Sequence, residues 1–208
     1  DLNQMILAVI VDANGRPVCT EMMPGNTADV AILLPIVNRL RSRFGITRAC
    51  IVADRGMISQ ATIMALEEQG LEYVLGVRER TDARMGRVLD DTQPLTPLLV
   101  ERSQGETQLF AKEVVVDGVR YIVCRNEAQA EKDRKDRQAI IAALDTQLKK
   151  GDKALVGNSA YRRYLKTTTR DAFEIDAGKI AEEARYDGIF VLCTNARISP
   201  LQAMLRYR

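Results

Sequence analysis

A carboxylate at the end of an apolar strand is the clearest candidate for chemistry in this sequence. The stretch ACIVADRGM, residues 49–57, places Asp54 and Arg55 directly after the apolar run 51–53. Ligand crevices of α/β sheets open at the carboxyl ends of their strands, so Asp54 lies where a metal ion or a substrate would bind. A helix N-cap and an ion-pair partner of Arg55 are alternative roles for this acid, and local sequence leaves them open.

The chemistry open to such a carboxylate depends on the partners that the chain can supply. The 208 residues include no histidine. This excludes Ser-His-Asp and Cys-His catalysis as well as histidine-ligated metal. Oxygen ligands remain, and they suit hard cations such as Mg²⁺. A two-ion centre for phosphoryl transfer holds its cations about 4 Å apart and needs several carboxylates.

Three other acids near predicted element ends are better explained by structural roles. Asp12 opens the turn DANG, where its side chain can accept a local backbone hydrogen bond. Asp29 falls in the first turn of a helix, where the helix dipole favours an acid. Asp187 precedes a strand, which places it at the opposite end from a carboxyl-terminal tip. The sequence therefore predicts Asp54 as a metal ligand without a convincing partner in this chain.

Basic residues form three groups, although the net charge is only +2. DNA contacts would therefore depend on local patches rather than on total charge. The third group interleaves arginines with Tyr161 and Tyr164, whose rings can stack on unpaired bases while the arginines hold phosphate. A solvated surface is the alternative interpretation of each group. The groups are Arg39, Arg41, Arg43 and Arg48; Arg78, Arg80, Arg84 and Arg87; and Arg162, Arg163, Lys166 and Arg170.

Hydrophobic periodicity and turn residues predict the elements that position Asp54. The order β-β-α-β-α-β over residues 1–77 indicates an α/β fold with a mixed sheet. A tight turn joins the first two strands, and glycines end both helices. The predicted elements are a buried strand at 5–11, a returning strand at 17–22, a helix from Val30 to Gly45, a strand over the apolar run 51–53 that ends at Asp54, a helix from Ser59 to Gly70 and a strand at 73–77.

The pattern changes after residue 77, where charged and turn-rich sequence extends to residue 108. A hairpin turns around Asp117 and Gly118, and Ser199 with Pro200 starts a final helix as N-cap and first helical residue. Between them lie a charged helix at 127–150 and a buried strand at 186–195. We predict three parts: 1–77, a partial core; 78–198, an insertion; and 199–208, the start of a truncated helix.

Composition and the chain ends indicate the cellular compartment and the completeness of the chain. The four cysteines lie far apart without a CxxC pair, so packing in a reducing compartment is their expected role. No apolar stretch is long enough to span a membrane, and no signal peptide precedes the first strand, so we expect a cytoplasmic protein without membrane contact. The chain starts without Met and stops in a predicted helix, which indicates a fragment.

Five stretches occur in an order that resembles the DDE transposases of bacterial insertion sequences. They are PGNTAD at 24–29, VADRGM at 52–57, LEYVLGVR at 71–78, YDGIFVLCTN at 186–195 and a terminal helix with YR at 207–208. The resemblance runs over nearly the whole chain and is closest to the cut-and-paste branch. It implies an RNase H-like mixed-sheet core, here without its first strand, and an inserted β-rich and helical subdomain.

The resemblance implies that Asp54 is the second acid of an Asp-Asp-Glu triad binding two Mg²⁺ ions, with Mn²⁺ as a possible substitute. The first Asp belongs to a core strand that has no counterpart in this chain. Tyr207 matches the Tyr of a Y-x-x-R-x-x-x-E pattern whose Arg and Glu fall past Arg208. The intact protein is expected to cut and join DNA strands, and this chain alone is expected to be inactive.

DNA is the partner that the resemblance implies, and a homodimer is expected in the transposition complex. The insertion is expected to cover the active site, and its hairpin at 111–125 is expected to share a sheet with the strand at 189–195. The protein is placed in the bacterial cytoplasm, at the nucleoid. The residues expected to contact DNA are Arg55, Arg78, Arg80, Tyr161, Arg162, Arg163 and Lys166.

Two other functions compete with this interpretation. A metal-dependent phosphohydrolase or a phospho-receiver domain would need repeated β-α units, and the tight hairpin between the first two strands argues against that order. The second alternative, a transposase remnant that only binds DNA or self-associates, is not excluded by the sequence.

Overall fold

The computed structural model describes residues 5–12, 16–27, 29–45, 49–54, 60–102, 105–149, 159–169 and 172–207. Within these ranges the chain forms ten strands and seven helices. In chain order they are β1 (Met5–Val11), β2 (Pro17–Pro24), α1 (Asp29–Phe44), β3 (Cys50–Ala53), α2 (Gln60–Glu68), β4 (Glu72–Gly76), α3 (Met85–Asp90), β5 (Thr96–Arg102), β6 (Gly105–Val116), β7 (Val119–Arg125), α4 (Glu127–Lys149), α5 (Ser159–Arg162), β8 (Leu165–Thr169), β9 (Ala172–Ile175), α6 (Ala177–Ala184), β10 (Ile189–Thr194) and α7 (Pro200–Tyr207).

Six strands form the central sheet in the order β3-β4-β10-β7-β6-β5. Strands β3 and β4 are parallel, and the other neighbours are antiparallel. The predicted mixed sheet is confirmed, and so is the pairing of the β6–β7 hairpin with β10. The sheet crosses the predicted boundary near residue 78, because β10 pairs with both β4 and β7. The division into core and insertion stays a prediction.

The predicted hairpin at the start of the chain forms a separate two-stranded sheet of β1 and β2. The Asp12 carboxylate accepts a hydrogen bond from the Arg16 backbone N–H at 2.9 Å, as expected of a turn residue. The expectation that β1 is buried is wrong, since Met5 and Leu7 are among its exposed side chains. In the described part of the chain β1 pairs with β2 alone, which leaves one apolar face of the hairpin open.

Two hydrophobic clusters lie on opposite faces of the central sheet. Alternation along β4 sends Tyr73 and Leu75 toward the cluster shared with α1, α2 and α3, and Val74 toward the cluster shared with α7. The α7 side chains in the second cluster are Ala203 and Met204. The sheet is therefore covered by helices on both faces, and α7 covers the face opposite α1.

Helix α3 and strand β5 occupy the stretch that the sequence indicates only as charged and turn-rich. Met85 and Val88 anchor α3 in the core. Pro97 lies inside β5, and a proline is tolerated there because β5 is an edge strand. The six-residue α3 is too short to show helical periodicity, which explains why the pattern did not reveal it.

The described residues between β7 and β10 lie outside the central sheet, and the segment 127–187 is called the excursion. At its neck the Asn126 N–H donates to the Gly188 carbonyl at 2.9 Å. Gly188 has φ +65°, and a Cβ atom there would lie 2.3 Å from the Asn126 carbonyl oxygen, so no larger residue fits. The excursion has its own apolar cluster around Leu144, Tyr164 and Leu165.

Two of the cysteines pack in the core, as expected of small apolar side chains. Cys124 and Cys193 are buried in the sheet, and this burial raises the pKa of each thiol to about 12. Such thiols stay protonated and pack as small apolar side chains. None of the helices in the described ranges is both long and apolar enough to cross a membrane.

Candidate active site

Strand β3 delivers Asp54 to the α7 side of the sheet. Ile51 and Ala53 are buried in the cluster on the α1 side, whereas Cys50 packs against the cluster on the α7 side. Because side chains alternate along a strand, Asp54 follows Cys50 and Val52 onto the α7 face. Its side chain is exposed. Asp54 is therefore an accessible carboxylate at the carboxyl end of a strand, as the sequence predicts.

Helix α7 begins with the capping arrangement that Ser199 and Pro200 predict. The Gln202 N–H donates to the Ser199 hydroxyl oxygen at 3.2 Å, and the Ser199 N–H donates to Gln202 Oε1 at 3.0 Å. Buried Ala203 and Met204 hold the helix on the sheet. Since residues four apart share a helix face, Tyr207 lies on the same side as Ala203 and points along the sheet.

The last described residue of α7 contacts the candidate metal ligand directly. The Tyr207 hydroxyl donates a hydrogen bond of 2.7 Å to Asp54 Oδ1, across 153 positions of sequence. A carboxylate oxygen has two acceptor sites, so this bond is compatible with a cation on the same group. Its effect is to fix the rotation of the Asp54 carboxylate. The resemblance to the Y-x-x-R-x-x-x-E pattern singles out Tyr207. It does not predict the hydrogen bond to Asp54.

A cavity of about 250 Å³ opens beside Asp54 and Tyr207. It also contains Glu79, whose side chain is buried with 6% of its surface exposed. Glu79 is not among the predicted site residues, although its sequence position carries a signal. It lies three residues past β4, which runs parallel to β3, so the two carboxyl ends share one edge of the sheet. The remaining walls are Gly76, Val77, Phe190, Val191 and Leu192.

The carboxylates at this edge of the sheet suit a hard cation, but they are too few to bind two cations. Asp54 and Glu79 supply carboxylate oxygens, which Mg²⁺ prefers. In the ranges that the structure describes, no group of three or more acidic or cysteine side chains is placed to hold a metal ion. These residues by themselves therefore do not form a two-ion centre.

Asp187 lies toward the same edge as Asp54, and the expectation that it lies at the opposite one is wrong. Strand β10 is antiparallel to β4, so the start of β10 adjoins the end of β4, where the Val77 N–H donates to the Val191 carbonyl at 2.9 Å. Both Asp187 oxygens accept from the guanidinium of Arg137 on α4. The hydrogen bonds that Arg137 donates to Asp187 raise the pKa of Arg137. Asp187 thus holds α4 at the neck of the excursion.

The sequence profile of the transposase DDE domain family matches residues 2–185. The chain belongs to this family. The match confirms the resemblance to DDE transposases of insertion sequences, and the mixed sheet with its covering helices is the RNase H-like fold expected of them. No curated protein matches the chain. Membership gives the chain a transposase function with DNA as substrate, and the family generally uses divalent metal ions.

Several basic residues of the transposase hold its elements together through ion pairs or hydrogen bonds. Arg41 donates to the Gln69 carbonyl at 3.0 Å and so links α1 to the end of α2. Arg84 pairs with Asp82, and Arg87 pairs with Asp117 in the β6–β7 turn. Arg39 pairs with Glu21 of β2, and Arg48 lies outside the described residues.

Arg78 is one of the basic residues predicted to contact DNA, and it lines a cavity beside the Asp54 cavity. A second cavity of about 250 Å³, which contains Arg78, shares Gly76 and Val77 with the Asp54 cavity. Arg78 itself is exposed. Contact of Arg78 with the DNA backbone stays a prediction. Arg55 and Arg170 lie outside the described residues.

The third basic group is only partly available for stacking on DNA. Tyr164 is buried with 3% exposure, so the prediction that its ring stacks on a base is wrong. Its ring packs in the excursion cluster, where Tyr161 also packs while half-buried. Lys166 pairs with Glu174 across the β8–β9 hairpin at 3.6 Å. Arg162 and Arg163 are exposed on the surface.

Proposed function

We propose that Asp54 is one of the metal-binding acids of a transposase that cuts and joins DNA strands by two-metal phosphoryl transfer. The observation that carries the proposal is the exposed Asp54 carboxylate, held by Tyr207 at the carboxyl end of β3 beside an open cavity. Mg²⁺, or Mn²⁺ in its place, would stabilise the attacking and leaving oxygens of the phosphoryl group.

The chain's own residues have distinct proposed roles at this edge. Asp54 binds the cation, and Tyr207 orients the carboxylate through its hydroxyl group. Buried Glu79 adds a second carboxyl group to the cavity, and carboxylate oxygens are the ligands that Mg²⁺ prefers. Arg78, Arg80 and the exposed basic residues of the excursion would contact the DNA backbone.

The rest of the catalytic triad comes from the resemblance. It assigns Asp54 two acidic partners, an Asp on an earlier strand and a Glu seven positions after Tyr207, that have no counterpart in residues 1–208. We therefore propose that the isolated 208-residue chain binds DNA without cutting it. A homodimer at the nucleoid is part of the same proposal.

Metal-dependent nicking tests this function. The complete product of the coding sequence, incubated with DNA carrying the ends of its element, is expected to nick the ends in Mg²⁺ and to lose nicking in EDTA. The isolated chain is the comparison, and it should bind the DNA without nicking it.

Two outcomes decide between the proposed functions. Nicking that persists in EDTA would rule out the metal mechanism. DNA binding by the complete product without nicking in Mg²⁺ or in Mn²⁺ would support a non-catalytic remnant instead.

A further inference from the structure

One carboxylate of α6 brings together two arginines from different parts of the chain. Glu183 Oε2 lies 3.0 Å from Nε of Arg80 and 3.7 Å from Nη1 of Arg163. Arg80 follows β4, and Arg163 belongs to the excursion at 127–187. The two residues come from different basic groups of the sequence, and Glu183 is where these groups meet.

An aromatic ring completes this surface. The Arg80 guanidinium lies 5.0 Å from the centroid of the Tyr186 ring, within cation–π range. The side chains of Arg80 and Arg163 are 47% and 46% exposed, respectively, whereas that of Glu183 is 20% exposed. The arginines therefore face solvent and the carboxylate lies beneath them. We define the Glu183 surface as Arg80, Arg163, Glu183 and Tyr186.

The Glu183 surface has more positive than negative side chains, and the ion-pair group beside it has the opposite imbalance. Two guanidinium groups approach one carboxylate oxygen, so the surface carries an excess positive charge. Beside it, the single Arg185 is held by two acids, Glu182 and Asp90, so that group carries an excess negative charge. Exposed ion pairs contribute little to stability. Guanidinium groups match phosphate oxygens in geometry and bind them through several N–H donors. A phosphodiester could therefore displace the carboxylate at small cost.

We propose that Glu183 occupies the position of a DNA backbone phosphate in the DNA-free chain, and that DNA binds the Glu183 surface by displacing it. The inference rests on the proposed function, because it takes DNA as the partner. Arg80 directly follows Glu79 of the Asp54 cavity, so DNA bound here would pass beside the candidate active site. Glu183 then weakens binding of DNA that does not engage both arginines.

Neutralising Glu183 tests the inference. Binding of the 208-residue chain to a short fluorescein-labelled duplex of arbitrary sequence is measured by anisotropy at low salt. Glu183→Gln is expected to tighten binding about three- to tenfold. Glu182→Gln is the matched control, since it removes the same charge one position away on α6, and it should change the affinity less than about twofold.

A double-mutant cycle separates this mechanism from a general charge effect. The gain from Glu183→Gln should vanish in an Arg80→Gln/Arg163→Gln background, and that double variant should bind about tenfold more weakly than wild type. The inference is overturned by an equal gain in Glu182→Gln, by a gain that persists without the arginines, or by unchanged binding in both Glu183→Gln and the arginine variant. Failure of the wild-type chain to bind any duplex would instead count against the proposed function.

Discussion

Asp54→Asn is expected to abolish strand nicking by the complete transposase while leaving DNA binding nearly unchanged. Asparagine keeps the shape of the side chain and the oxygen that accepts from Tyr207, but it removes the negative charge that binds a cation. Loss of a residue that only supports a metal ligand costs about 10–100-fold in activity, so loss of the ligand itself should exceed about a hundredfold. Single-turnover nicking rates and DNA affinity, measured side by side, provide the check.

Asp12→Asn is a closely matched control for this substitution. Asp12 also follows a strand directly and is exposed, but its carboxylate accepts a turn hydrogen bond from Arg16, which asparagine can also accept. Nicking by Asp12→Asn should stay near the wild-type rate. Equal losses in the two variants would assign the Asp54 effect to folding or to surface charge rather than to metal binding.

Tyr207→Phe is expected to lower the nicking rate about 10–100-fold, mainly by weakening cation binding. The change removes the hydroxyl that donates to Asp54 Oδ1 at 2.7 Å and leaves the ring that packs against the α7 cluster. The Asp54 carboxylate then rotates more freely and holds the ion less well. Nicking rates measured over a series of Mg²⁺ concentrations should show half-saturation at a higher concentration, with DNA affinity unchanged.

Tyr121→Phe controls for the loss of a hydroxyl group. Tyr121 is buried in the sheet, and among the described residues its hydroxyl has no hydrogen-bond partner. Its removal should leave both the nicking rate and the Mg²⁺ dependence unchanged. If Tyr207→Phe has the Mg²⁺ dependence of wild type and loses only thermal stability, then Tyr207 supports the fold and does not position Asp54.

The local features of this transposase could be predicted from sequence because local residues determine them. The Asp117–Gly118 turn adopts positive φ values of 51° and 77° and joins β6 to β7, as its two residues indicate. Ser199 caps α7 as predicted. Asp54 was identified for the same reason, since an apolar run followed by an acid marks a strand end without knowledge of the rest of the fold.

The contacts around Asp54 could not be predicted, because they depend on the order and direction of distant strands. The predicted position of Asp187 is at the wrong end of the sheet, because the residues of β10 do not reveal that this strand runs antiparallel to β4. The same holds for Glu79 in the Asp54 cavity and for Glu183 between two arginines, one of them 103 positions away. The burial of Tyr164 depends on the packing of α4 and α6, which its local sequence does not show.

Asp54→Cys, assayed with Mg²⁺ and with Mn²⁺, tests most directly whether Asp54 binds the catalytic cation. A thiolate binds softer ions better than hard ones, and Mn²⁺ accepts such a ligand more readily than Mg²⁺. The variant should be inactive in Mg²⁺ and should recover part of its nicking in Mn²⁺, whereas wild type nicks in both. Nicking by Asp54→Cys in Mg²⁺ at the wild-type rate would contradict a metal-binding role for this residue.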